Sequence, residues 1–269
     1  MVTNVLQNRA YPGQEVFGFS AVDGTLPFIL RVHALLKPGD VLLDFGAGRG
    51  FQALNARGVV RQLLEYRTRG VKVVGVDVSP DVLDNPQLDE RHQLDPGSPL
   101  PIADSSVDVV IADWVLEHLD DPSAALHEII RVLKPGGWFA FRTPNKWHYS
   151  MIASRIAPDR LHSRILSRAQ VSGREERDIF TKHYRMNTVS ACRARLNSVG
   201  FAPALLFSHE PEPVYLHFNA ATFLAGVFYQ RIAAFLPFHC LRLIVMGFAR
   251  KPGVRETATK QDRSNSSPI

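Results

Sequence analysis

The stretch VLLDFGAGRGFQAL, residues 41–54, decides the fold. An apolar run typical of a buried strand ends at Asp44 and passes directly into Gly46, Gly48 and Gly50, and a second apolar run follows. Glycine allows positive φ angles and a close approach of the backbone to a ligand, and the amide groups at a helix N-terminus point at that ligand. The sequence therefore predicts a strand, a ligand-binding turn and a helix in immediate succession.

Strand and helix signals alternate on both sides of this turn. Continuous apolar runs such as VKVVGV and VDVVIA predict strands covered on both faces, and hence a parallel sheet with helices on either side. The pattern predicts strands at 41–44, 71–76, 107–112, 138–142, 204–208 and 241–249. It predicts helices at 25–36, 51–69, 80–83, 122–133, 188–199 and 218–236.

The chain divides into three parts. Residues 1–38 form a predicted flank or lid, and residues 39–250 form the main domain. That domain contains a basic insert at about 146–186 and an apolar helix at about 218–236. The tail, 251–269, is polar and is predicted to be disordered.

The cysteine count and the distribution of charge limit the classes of protein to which this chain can belong. The 269 residues carry a net charge of +5 and only two cysteines, Cys192 and Cys240, so neither a disulfide framework nor a metal site is predicted. Residues 151–195 hold ten Lys or Arg against four acids, which suits an anionic substrate or a membrane surface, or equally a solvated helical face. We find no secretory signal and no spanning stretch, and we expect a reducing, cytoplasmic setting.

The acid before the glycines separates two kinds of ligand. A carboxylate at Asp44 would repel a pyrophosphate, but it suits a ligand with a positive amino or sulfonium centre. With this acid, residues 44–50 resemble the first motif, DxGxGxG, of the class I S-adenosylmethionine-dependent methyltransferases. The block VLEHLDDPSAALHEIIRVLKPGGWFAFRTPN, residues 115–145, is similar to the methyltransferase type 11 family, and the whole resemblance covers about residues 39–145.

The resemblance implies an α/β, Rossmann-like class I methyltransferase fold. Its sheet would be mostly parallel and seven-stranded, with helices on both faces and a helical insert after strand 5. The implied cofactor is S-adenosyl-L-methionine, and the implied product is S-adenosyl-L-homocysteine. The implied cofactor-binding residues are Asp44, Gly46, Ala47, Gly48, Gly50, Asp77, Val78, Asp95, Asp113 and Trp114.

Three of these residues receive specific roles by resemblance. Asp77, at the end of the second strand, would accept hydrogen bonds from both ribose hydroxyls, with Val78 against the adenine face. Asp95 would bind the adenine amino group, although the following Pro96 has no N–H to add to that contact. Asp77 lies 27 residues past Gly50, which is longer than the family usually has and predicts an extra turn of helix.

Three histidines are candidates for catalysis, as bases that remove a proton from a hydroxyl acceptor. His118 belongs to the EHL segment of the family, and its alternative role is to shape the cofactor site. His148 follows the fifth strand and is alternatively a surface residue. His183 matches the histidine of an HxRxF element. Arg185, two residues on, would bind an anionic acceptor group or serve only as a structural capping residue.

We expect methyl transfer to a small-molecule acceptor, with a sugar, lipid-linked or polyketide-like hydroxyl favoured. A non-catalytic nucleotide-binding or partner-binding module is the alternative from another class. A nucleic-acid methyltransferase is not favoured, because residues 143–147 read TPNKW and not (N/D)PP(Y/F). The nearly all-apolar helix at 218–236 predicts core packing, a homodimer face or a peripheral membrane contact.

Overall fold

One mixed sheet organises the protein, which is described here from a computed structural model covering residues 4–50, 56, 58–156 and 181–253. Its order is β3-β2-β1-β4-β5-β7-β6. β1 to β5 pair in parallel, whereas β7 runs antiparallel to both β5 and β6. The strands are β1 (Val41–Phe45), β2 (Lys72–Asp77), β3 (Glu90–Gln93), β4 (Val107–Asp113), β5 (Leu133–Pro144), β6 (Leu205–His209) and β7 (Ile244–Arg250). The mostly parallel seven-stranded sheet is confirmed.

Helices cover both faces of this sheet. The described α-helices are α1 (Asn4–Ala10), α2 (Gln14–Phe17), α3 (Leu26–Leu35), α4 (Gly58–Leu64), α5 (Pro122–Val132), α6 (Tyr149–Ile156), α7 (Val189–Val199) and α8 (Ala220–Phe235). Short 3-10 turns occupy Tyr66–Arg69, Pro80–Asp84, Val214–Leu216 and His239–Leu241. Thr188 caps the start of α7 and Gly200 ends it in the left-handed conformation, as the sequence predicts.

The core explains the unbroken apolar runs in the strands. Leu42 and Leu43 are neighbours in β1, yet both are fully buried, because one packs against the α3 side and the other against the α5 side. Phe28 and Val32 of α3 are equally buried against the sheet. The predicted flank therefore contributes α3 to the core on one face of the sheet.

Two local predictions differ from the structure. The strand β3 (Glu90–Gln93) carries no apolar alternation, so the pattern does not reveal it; it lies at the sheet edge and pairs with β2, where Lys72 Nζ and Glu90 Oε2 are 2.8 Å apart. The glycine-rich break expected at 135–137 lies inside β5, where the register with β4 shifts.

Parts of four predicted segments lie outside the described residues. They are 1–3 in the flank, 51–55 and 57 in the helix after the glycine turn, 157–180 in the insert, and 254–269 in the tail. No helix in the described part of the chain has both the length and the apolarity needed to cross a membrane.

Candidate active site

A cavity of about 1360 Å³ opens at the carboxyl ends of the parallel strands. This is the edge where ligands bind in open α/β sheets, since the chain crosses over here between β1 and β4. The cavity is lined by all ten residues predicted to hold the cofactor: Asp44, Gly46, Ala47, Gly48, Gly50, Asp77, Val78, Asp95, Asp113 and Trp114.

The glycine turn needs glycine for two different reasons. At Gly46, where φ is +82°, an added Cβ would lie 2.3 Å from a methyl carbon of Val115, so no larger residue fits. At Gly48, where φ is +47°, an added Cβ would meet only Asp77 Oδ2, at 3.8 Å. The backbone at Gly48 therefore faces open space in the cavity, and a ligand can approach it closely.

Asn85 holds this turn in place, and sequence reasoning missed it. Its buried Nδ2 donates to the carbonyl oxygens of Ala47 at 3.2 Å and Gly48 at 3.0 Å. Its Oδ1 accepts from the amide of Gln87 at 3.0 Å. The available signal was the Asn-Pro pair at 85–86, which is typical of a turn but does not indicate the distant partner.

Asp77 is fixed at the end of β2 by two backbone amides. Oδ2 accepts from Gly48 N and Oδ1 from Ser79 N, both at 2.8 Å. Burial raises the pKa of Asp77, and these amide hydrogen bonds oppose that shift. Each carboxylate oxygen keeps a further lone pair, so the geometry is compatible with the predicted contact to ribose hydroxyls.

Asp44 is the carboxylate most sensitive to what occupies the cavity. Burial, helped by the nearby charges of Asp113 and Asp77, raises the pKa of Asp44 to about 7. Ionising Asp44 therefore becomes favourable when a positive group enters. The cavity fits a cationic ligand at this position and disfavours an anionic one.

Arg142 compensates one of these carboxylates and was not predicted. Arg142 projects from β5 and is only 1% exposed. Its Nε and Nη2 atoms both donate hydrogen bonds to the Asp113 carboxylate, and Nη2 lies 2.9 Å from Oδ2. Its Nη1 donates to Gly24 O at 2.7 Å and Thr25 Oγ1 at 2.9 Å. The signal available in the sequence was a single arginine at the end of the apolar run 138–142. In the structure, Arg142 connects the start of α3 to the end of β4.

Trp114 follows β4 in a strained backbone conformation. Its φ is +61°, in the left-handed region that bulky residues rarely adopt, and its amide donates to Arg142 O at 3.0 Å. The Arg142 guanidinium lies 5.4 Å from the Trp114 ring centroid. Such strain is found at ligand-binding positions, and this residue lines the cavity.

Two of the three candidate histidines line the cavity. The Nδ1 atom of His118 lies 2.9 Å from Thr181 O, and because a carbonyl oxygen only accepts, Nδ1 carries the proton. His183 is exposed at the rim, with Nδ1 3.6 Å from Asp120 Oδ1.

Glu117 connects the EHL segment to the irregular segment before α7 that carries His183. Its backbone oxygen accepts from His183 N at 2.7 Å, and its buried carboxylate accepts from Thr143 Oγ1 at 3.0 Å. Asn187 Nδ2 donates to the same Thr143 oxygen at 2.6 Å. Burial raises the pKa of Glu117 to about 7. Glu117 thus helps to place His183 without itself lining the cavity.

His148 and Arg185 do not line the cavity. His148 is 1% exposed, with Nε2 3.2 Å from Glu210 Oε1 and Nδ1 2.7 Å from Ser150 Oγ. Arg185 Nη2 lies 2.6 Å from Asp120 Oδ1. The geometry supports structural roles for both, and gives no support to the expected acceptor contacts.

The described residues hold no group of three or more His, Cys, Asp or Glu side chains placed to bind a metal ion.

Comparison with known proteins indicates a methyltransferase domain. A family model described as a methyltransferase domain matches residues 43–141, the span that carries most of the cavity residues. A probable S-adenosylmethionine-dependent methyltransferase from Mycolicibacterium smegmatis is 33% identical over 141 residues, which cover 50% of this chain and 49% of that relative. The malonyl-[acyl-carrier protein] O-methyltransferase of Serratia marcescens is 31% identical over 109 residues, or 39% of each chain. The matched segments thus span about half or less of these relatives' lengths.

A solved structure shares the fold over most of the chain. The structure is a complex between the Haloferax volcanii Trm112 methyltransferase activator and a methyltransferase, and it aligns with a TM-score of 0.52 at 20% identity. The alignment covers 94% of this chain and 100% of that one. The family match identifies residues 43–141 as a methyltransferase domain, similar to those of the S-adenosylmethionine-dependent methyltransferases.

Proposed function

We propose that the protein transfers a methyl group from S-adenosylmethionine to an oxygen atom of a small-molecule acceptor. One observation carries the proposal: a single cavity contains the glycine turn and its acids together with His118 and His183. The O-methyltransferase among the relatives agrees with oxygen as the methylated atom.

The residues that would hold the cofactor divide by chemistry. The open backbone at Gly48 and the carboxylate of Asp44 would face its methionine part, which carries the positive charges that Asp44 favours. Asp77 would accept from the ribose hydroxyls, and Val78 and Asp95 lie where the adenine would bind. When bound, S-adenosylmethionine supplies a methyl group already activated by its sulfonium charge, so the protein mainly aligns the acceptor and excludes water.

His183 is the proposed general base. The Asp120 carboxylate faces Nδ1 and favours a proton there, which leaves Nε2 to accept the proton of an acceptor hydroxyl. General base catalysis of this kind contributes roughly 100-fold to 10,000-fold. His118 is the second candidate, because Thr181 O fixes its tautomer in the same sense.

Calorimetry and a turnover assay test the proposal together. We expect heat on mixing with S-adenosylmethionine and S-adenosylhomocysteine, and S-adenosylhomocysteine formation when hydroxyl-bearing acceptors are added. Binding without any turnover across sugar, lipid-linked and polyketide-like acceptors would favour the non-catalytic module. Failure to bind either compound would remove the proposal.

The affinity for S-adenosylmethionine is expected to fall as pH is lowered from 7.5 to 6. Asp44, with a pKa of about 7, is largely ionised at the upper pH and largely protonated at the lower, and only the ionised form attracts the cation. We expect Kd to rise about fivefold to tenfold by calorimetry. Asp44→Asn should remove this dependence, whereas Asp84→Asn, at an exposed acid outside the cavity, should keep it.

Asp44 also sets a pH dependence of stability without ligand. Its folded-state pKa is raised, so between about pH 4 and 7 the folded chain binds the proton more tightly than the unfolded chain. The contribution of Asp44 to the free energy of unfolding therefore falls as pH rises from about 4 to 7. Asp44→Asn should be more stable than the parent at pH 8, by about 1–2 kcal/mol in urea unfolding, and should show no advantage at pH 4.

Replacing His183 with asparagine is expected to lower kcat at least about 100-fold while changing Kd for S-adenosylmethionine less than about threefold. Asp120→Asn should lower kcat by about tenfold, because it only orients the ring. His92→Asn, on the edge strand outside the cavity, is the matched control. Equal losses in kcat and cofactor affinity at His183 would assign it to the architecture of the site.

A further inference from the structure

The outward face of α8 is apolar although it is exposed. The inward face packs through Phe223, Gly226, Gln230 and Ala233. Nine residues of the helix are exposed, and eight of them are apolar: Ala220, Ala221, Leu224, Ala225, Phe228, Ile232, Ala234 and Phe235. The ninth is Arg231.

The loop after α8 continues this surface. Phe235 is 88% exposed, Phe228 69% and Phe238, two residues beyond the helix C-cap, 56%. Three phenylalanines held this far into solvent within eleven residues are more than the scattered single apolar residues of an ordinary surface. We call Leu224, Phe228, Ile232, Phe235 and Phe238 the apolar face.

The polar backbone beside the apolar face is satisfied from within the protein. Asn219 and Thr222 form a capping box at the helix N-terminus. At the other end, the Arg242 guanidinium donates to the carbonyl oxygens of Ala233 at 2.9 Å, Ala234 at 3.0 Å and Leu236 at 2.9 Å. The end of the helix can therefore enter an apolar environment without exposing unpaired carbonyl groups to it.

The stretch of chain that carries the apolar face contains basic residues and no acids. Residues 213–242 contain Arg231 and Arg242 and no aspartate or glutamate, and Arg231 is exposed. The preceding acids, Glu210 and Glu212, are buried. An exposed apolar surface with an arginine and no acid on the same helix matches the interface of an anionic bilayer, where apolar side chains enter the acyl boundary and the arginine reaches the headgroup phosphates.

A second copy of the chain fits this face less well. A two-fold symmetric contact would bring the same residues of each copy together. Such a contact would contain two copies of Arg231, and the exposed α8 residues include no acid to pair with either. We propose that the apolar face and Arg231 bind peripherally to an anionic lipid bilayer.

Vesicle sedimentation with the full chain tests this proposal without any methyl acceptor. We expect co-sedimentation with vesicles of phosphatidylcholine and phosphatidylglycerol, weaker binding at high salt, and little binding to phosphatidylcholine alone. The double variant F228S/F235S should lose at least about tenfold in partition coefficient, and R231Q about fivefold. Both changes are at exposed positions, so the thermal unfolding midpoint should stay close to that of the parent.

Leu83→Ser is the matched control. Leu83 is 52% exposed in the 3-10 turn Pro80–Asp84, near the β3 edge of the sheet, whereas α8 lies elsewhere on the molecule. The control should bind vesicles like the parent. No binding to anionic vesicles, equal binding to neutral ones, or a dimer in sedimentation velocity that F228S/F235S dissociates would each overturn the assignment.

Discussion

Replacing Asp77 with alanine is expected to weaken S-adenosylmethionine binding by at least about 100-fold. The variant would lack the predicted hydrogen bonds between the Asp77 carboxylate and the ribose, and hydrogen bonds to a charged group contribute about 1.5–3 kcal/mol each. The structure adds a second cause: the same carboxylate accepts from Gly48 N and Ser79 N, so the glycine turn also loses its anchor at β2. Calorimetry gives the loss of affinity directly.

Two further measurements separate these causes. Adenosine alone carries the ribose contact, so its binding should fall in Asp77→Ala as well if the carboxylate faces the sugar. Asp84→Ala, seven residues on and exposed, should bind both ligands normally. If Asp77→Ala binds S-adenosylmethionine as tightly as the parent, Asp77 does not belong to the cofactor site.

The Arg142→Met variant is expected to lose about 3–5 kcal/mol of stability. Removing one partner of a buried ion pair leaves the other charge, here Asp113, without its guanidinium, and it also removes the Arg142 donor from Gly24 O and Thr25 Oγ1. Methionine keeps much of the side-chain volume, so the loss reports charge and hydrogen bonding more than packing. Urea unfolding measures it.

A double variant tests the origin of that loss. Asp113→Asn added to Arg142→Met should recover part of the stability, because the carboxylate charge that Arg142 offsets is gone. Arg193→Met, on the exposed side of α7, should change stability by less than about 0.5 kcal/mol. Equal stability of the single and double variants would show that the Asp113 charge is not what Arg142 offsets.

The electrostatics of the cavity link these predictions. Arg142 offsets part of the negative charge of Asp113, and this charge helps to raise the pKa of Asp44. Loss of Arg142 should therefore change cofactor affinity as well as stability. The pair also ties α3 to β4, which explains why the cavity includes residues of the predicted flank, such as Thr25 and Phe28.

The predicted cofactor residues all line the cavity, whereas two of the predicted acceptor-side residues, His148 and Arg185, do not. The cofactor residues follow strand ends, and the order of strands in a parallel sheet brings those ends to one edge. His148 also follows a strand, but its side chain turns into the interior toward Glu210, 62 residues away in the chain. Arg185 is held by Asp120. Neither partner is visible in a local pattern.

The sequence alone determined the alternation of strands and helices, the glycine turn at 46–50 and the acids at the strand ends. These features depend on the period of apolar residues and on the backbone freedom of glycine, both of which are local in the chain. The tertiary structure decided the edge strand β3, the anchoring of the turn by Asn85 and the position of Arg142. These depend on partners far apart in sequence, such as Arg142 and Thr25 at a separation of 117 residues, and only packing brings such partners together.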